Sequence, residues 1–135
     1  MNVKLDTKEK FHVITVAEPR LSATMTEQLS GRLLAFLQND AGAGQEPVRN
    51  LVLVLTEVGE IEVAAAEKLV QVQQHFYENG ASFVICELQK PVEDFLDEKG
   101  LLEMMNVTPT QSEAWDIVQM EEIEREMFGD EGNDL

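Results

Sequence analysis

The run Leu51–Val52–Leu53–Val54–Leu55 constrains this chain more than any other stretch. Five consecutive apolar residues are too few for a membrane span and suit a strand buried on both faces of a sheet. An acidic turn follows, Thr56-Glu57-Val58-Gly59-Glu60-Ile61, and then an alanine-rich segment from about Glu62 to Glu78. The apolar residues of that segment, Ala65, Ala66, Leu69, Val70, Val72, Phe76 and Tyr77, recur with helical spacing. Strand, turn and helix make half of a βαβ unit. The turn lies past the C-terminal end of the strand, where open α/β sheets commonly place their binding sites.

The rest of the chain supplies the partners such a unit needs. Val3 and Leu5 predict a short edge strand, hairpin-paired to Phe11–Val16. Pro19 ends the second strand, and Thr24-Met25-Thr26-Glu27 has the capping-box pattern. The helix it predicts carries Met25, Leu29, Leu33, Phe36 and Leu37 on one face, ends near Asn39-Asp40, and leads into a flexible connector over 41–47. Ser82–Leu88 reads as a further strand after the helix-ending Asn79-Gly80. A short helix starts at Pro91 and closes at Gly100, and Leu101–Val107 fits either a brief strand or a helix. Thr110-Gln111-Ser112-Glu113 opens a last helix, with Ala114, Ile117, Val118, Met120, Ile123 and Met127 as its apolar residues and the methionines as core or interface filler. The expected organisation is one α/β domain over 1–128, a sandwich with a mixed sheet of four to five strands and about four helices, followed by a frayed acidic tail, 129–135.

Charge narrows the partners. Ten Lys and Arg against 26 Asp and Glu leave a net charge of −16. That field repels nucleic acid and anionic membrane and favours a protein partner with a basic patch. The single cysteine, Cys86, cannot form an internal disulfide, and with no evident signal peptide or apolar span the expected setting is the cytoplasm.

The material for catalysis is thin. His12 and His75 lie in different elements without cysteine or carboxylate ligands at metal spacing, and no nucleophile elbow, phosphate-cradling glycine loop or His-Glu-x-x-His motif occurs. Glu57, Glu60 and Glu62 are the only clustered carboxylates near the turn. Glu62 is expected to complement the dipole of the helix that follows it, and the other two to be solvated. No enzyme, cofactor or metal is therefore expected. A receiver-type phosphorylation site would need an aspartate where Leu55-Thr56 ends the central strand.

The order of elements and several local patterns resemble the STAS domain, found in bacterial anti-sigma factor antagonists and in the cytoplasmic tails of sulfate transporters. Phe11–Val16 with Glu18-Pro19-Arg20-Leu21-Ser22-Ala23-Thr24 resembles the family's second strand and its G-x-L-D-A loop. Lys99-Gly100-Leu101-Leu102 resembles its L-x-x-x-G-L helix ending, and Thr110-Gln111-Ser112-Glu113-Ala114 the acidic start of its last helix. The resemblance implies that the Leu51 strand and the turn after it match the family's central strand and phosphorylation loop. Antagonists switched by phosphorylation carry Asp-Ser-Ser-Gly at the start of the second helix, where this chain has Glu62-Val63-Ala64-Ala65. Ala64 has no hydroxyl, Ser22 stands where an aspartate is usual, and Val54 replaces an aspartate often found late in the central strand.

The reading that follows is a non-enzymatic, STAS-like regulatory module of bacterial signalling that binds a protein partner and is not phosphorylatable at the usual position. Its expected contact surface comprises Glu57, Gly59, Glu60, Glu62 and Ala64 together with Ser22, Thr24 and Met25. The alternative is a small-ligand-binding or enzymatic domain using a crevice at the same end of the sheet. Homodimerisation through the opening strand or the Met-rich C-terminal region stays open.

Overall fold

The computed structural model describes residues 1–38 and 48–133. The expected helix end at Asn39-Asp40 and the connector 41–47 lie outside those residues. In chain order the elements are β1 (Val3–Thr7), β2 (Phe11–Val16), β3 (Arg20–Leu21), α1 (Ala23–Ala35), β4 (Asn50–Val54), β5 (Glu60–Ile61), α2 (Val63–Glu78), β6 (Phe83–Cys86), α3 (Lys90–Glu98), β7 (Val107–Thr108) and α4 (Gln111–Asn133). Short 3₁₀ turns follow α1 at Phe36–Gln38 and precede β7 at Leu102–Met104. The ambiguous stretch after Gly100 thus holds both a helical turn and a strand. The backbone of α4 runs as helix through Asn133.

Five strands form one mixed sheet in the order β1-β2-β4-β6-β7. β1 and β2 pair antiparallel as a hairpin, and every other neighbour in this sheet is parallel. The all-apolar strand takes the centre, as its composition requires, and all five residues of β4 are buried. Alternate strand residues feed two cores. Ile14, Val16, Leu51, Leu53, Phe83 and Ile85 point to one face, where they meet Leu29 and Leu33 of α1, Ala65, Ala66, Leu69 and Phe76 of α2, and Val92 and Leu96 of α3. Phe11, Val13, Val52, Val54, Val84 and Cys86 point to the other and, among the described residues, form an apolar cluster with Ala114, Ile117 and Val118 of α4. Each fully buried Leu or Phe contributes roughly 1.5–3 kcal/mol relative to solvent exposure.

Three expectations need correction. The first helix is capped by Ser22, whose Oγ accepts the Met25 N–H at 3.3 Å, rather than by Thr24, which is exposed inside the helix. Of the core or interface roles expected for the apolar end of α4, core is excluded for Met120, Ile123 and Met127, which are 59%, 57% and 58% exposed. The sheet side of α4 is continued instead by Glu121, Glu122 and Arg125, which hydrogen-bond to Tyr77, Asn50 and Ser82. The third correction concerns the loops around the central turn.

Two histidine and cysteine positions behave as structure. His12 is buried, stacked on Phe36, with Nε2 against the Val48 carbonyl and Nδ1 against the Thr7 hydroxyl, each at 2.9 Å. A carbonyl can only accept, so Nε2 carries the proton and Nδ1 accepts from Thr7. Cys86 is buried in β6, and desolvation with the neighbouring Glu87 charge pushes its thiol up to about 12, which removes it as a nucleophile.

Candidate functional site

The loop after β2 and the loop after β4 converge beyond the C-terminal ends of the parallel strands. They join through a separate two-stranded parallel sheet, Arg20–Leu21 with Glu60–Ile61, which the expected reading of both segments as plain loops did not contain. Two-residue strands carry no periodicity, so no sequence pattern announces them. Around this ladder the Pro19 carbonyl accepts the N–H groups of Gly59 and Glu60 at 2.9 and 3.2 Å, and the Leu21 carbonyl accepts Glu62 N–H at 3.1 Å.

Side chains lock the same junction. Arg20 Nε lies 2.9 Å from Glu60 and its Nη2 3.1 Å from Glu62, one guanidinium bridging two carboxylates. The Glu62 Oε1 atom accepts the Ala23 N–H at 2.7 Å. Glu62 therefore caps α1, the neighbouring helix. It occupies the N-cap position of its own helix, α2, without a side-chain hydrogen bond to it. Its charge thus stands at the start of α2, where the helix dipole favours it as expected, and the cap it places on α1 is an additional role. Arg20 was visible in the sequence, but its partners lie about forty residues away and no local spacing pairs them.

The turn between β4 and β5 is braced from the far side. Thr56 Oγ1 donates to Glu87 Oε1 at 2.8 Å, and the Gln89 amide donates to the Thr56 carbonyl at 2.8 Å. Glu87 holds a left-handed backbone, φ 61°, unusual for a residue with a β-carbon. Its N–H bonds to the Thr108 carbonyl at 3.2 Å, so contacts at both its backbone and its side chain fix the strained conformation.

The structure brings the candidate residues together at one end of the molecule. Glu57, Glu60, Thr24 and Ala64 are exposed, whereas Ser22, Met25 and Glu62 are half-buried, Met25 packing against the core. Val63, 38% exposed at the start of α2, adds an apolar contact the sequence reading did not single out. Among the described residues, no group of three or more His, Cys, Asp or Glu is placed to hold a metal ion. Among the described residues, concavities lie between the β1–β2 turn and Trp115, between α3 and β7, and between β1 and Phe36. No helix among the described residues is long and apolar enough to cross a membrane.

The comparisons with known proteins agree with this architecture. No curated protein matches the chain in sequence. Among solved structures, an anti-sigma-factor antagonist (STAS) domain protein from Planctomyces limnophilus is similar with a TM-score of 0.69 at 20% identity, covering 87% of this chain and 97% of that one. A Thermotoga maritima protein described as an anti-sigma factor antagonist gives a TM-score of 0.68 at 18% identity, covering 87% of this chain and 94% of that one. The murine Solute Carrier 26 family member A9 anion transporter gives 0.62 at 16% identity, covering 82% of this chain and only 18% of the transporter. At these identities the likeness is one of fold. The STAS domain family itself matches residues 2–114, and the chain belongs to that family.

Proposed function

We propose that this STAS-domain chain is a non-enzymatic regulatory module that binds a protein partner through the end face formed by Ser22–Met25, the Glu57–Glu62 turn and the first turn of α2. The observation that carries the reading is the locked junction. Two loops distant in sequence are joined by a backbone ladder and by the Arg20 bridge to Glu60 and Glu62, which presents Thr24, Glu57, Val63 and Ala64 on a rigid, exposed surface. Preorganisation of this kind lowers the entropy lost on association. A partner with a basic patch suits the net charge of −16, which speeds encounter.

Ala64 stands at the position the family's switched members phosphorylate and has no hydroxyl to accept a phosphate. Binding is then constitutive or set by partner abundance, within a signalling system of the anti-sigma-antagonist type. The anti-sigma factor antagonists named among the structural neighbours support that setting.

The test is affinity capture from the native host with the wild-type chain and with Glu57→Lys/Ala64→Arg. Both positions are exposed and outside the Arg20 bridge, so the variant keeps its fold. Selective loss of the same captured proteins supports the face, and equal recovery by both chains removes it.

A further inference from the structure

α4 carries a second apolar surface, remote from the end face. At 100° per residue, Met120, Ile123 and Met127 fall within about 60° of one another, on the side of the helix opposite Ala114 and Val118. All three are more than half exposed. The charges around them are of one sign. Asp116 lies one turn before Met120 on the same stripe, Glu113 and Glu124 border one side and Glu126 the other, and all four are exposed. Among the described side chains of α4, the one cation is Arg125, and it is turned inward. It bonds to Ser82 Oγ and Asn50 Oδ1 at 3.1 Å each, and to Glu122 at 3.3 Å.

We infer that this outer face of α4 is a docking surface for an amphipathic partner helix whose apolar stripe is flanked by Lys or Arg. Spacing at i, i+3 and i+7 is the pattern by which helices pack lengthwise, and Met side chains adapt to varied apolar partners. Charge decides between occupants. A second copy of the chain would set the carboxylates of Glu113, Asp116, Glu124 and Glu126 against their own kind, whereas a basic-flanked helix pairs them while burying the apolar stripe. α4 is also pinned to the sheet by Asn50, Ser82 and Tyr77, so the face is held rigid before any partner arrives.

The probe is a synthetic helical peptide of about 18 residues, built of Leu and Lys at amphipathic spacing, with a scrambled peptide of identical composition as control. Titration is followed by NMR of the methionine methyl groups. The inference expects saturable binding that shifts the Met120 and Met127 methyls. It expects binding about tenfold or more weaker for the scrambled peptide and for Met120→Gln/Ile123→Gln/Met127→Gln, which leaves the charge unchanged. Binding of that variant within about twofold of wild type would mean that charge alone is responsible and would overturn the inference. So would a wild-type dimer in sedimentation that the same variant converts to monomer, because the face would then belong to a second copy.

Discussion

The Glu62 carboxylate caps a helix to which it does not belong, accepting the Ala23 N–H at 2.7 Å while its other oxygen meets Arg20. One residue thereby ties the start of α1 to the start of α2. Removing the acceptor leaves a helix-initial amide unpaired, so Glu62→Ala should destabilise the fold by about 1 kcal/mol. Glu62→Gln keeps an acceptor for Ala23 and loses only a solvent-exposed ion pair, which costs about 0.5 kcal/mol or less. Urea denaturation of the two variants separates these contributions, and equal losses would contradict the capping role.

Asn50 at the start of the central strand makes a buried polar knot. Its Oδ1 accepts from the Ser82 N–H at 2.8 Å and from Arg125, and its Nδ2 donates to the Lys10 carbonyl and to Glu122. These bonds join β2, β4, β6 and α4 at the end of the sheet away from the candidate face. Asn50→Ala should cost about 2–3 kcal/mol, since it orphans buried donors and acceptors at once. Arg125→Met, which keeps the apolar stem, should cost less. The order of the two midpoints in urea is the check.

Burial lowers the His12 imidazole below its ordinary value of 6.5, partly opposed by the hydrogen bond to the Val48 carbonyl. A depressed histidine binds fewer protons folded than unfolded. Its contribution is therefore fully present above pH 6.5 and is lost as pH falls from there towards the lowered folded value. The loss of stability between neutral and mildly acidic pH should thus be larger for wild type than for His12→Gln. Urea melts on either side of that window measure it, and identical pH dependence would contradict a depressed His12.

Much of the fold was legible because its signals are local. The apolar run Leu51–Leu55, the 3.6-residue stripe of α2 and the stop at Gly80, with its φ of 71°, each act over a few residues. What escaped was set by tertiary contact. The two-residue strands β3 and β5 exist only because their loops meet, and the cap of α1 is Ser22 rather than Thr24, the residue the capping-box pattern pointed to. The helical spacing of Met120, Ile123 and Met127 fitted either core or interface filler, and burial excludes only the core, since the sheet side of α4 is completed by polar residues that bond to Asn50, Ser82 and Tyr77. Topology pointed to the turn after the central strand and the family resemblance to Ser22 and Ala64, while the Arg20 bridge that ties the two loops spans elements no short motif connects.

The central claim is that the end face, from Ser22–Met25 to the first turn of α2, receives the protein partner. Hydrogen–deuterium exchange of this chain with and without a captured host partner tests it most directly. The account predicts protection at residues 22–25 and 57–64, with the start of α2 slowed most because its first amides have no side-chain cap. Unchanged exchange there, with protection confined to α4 or to the β1 edge, would contradict it.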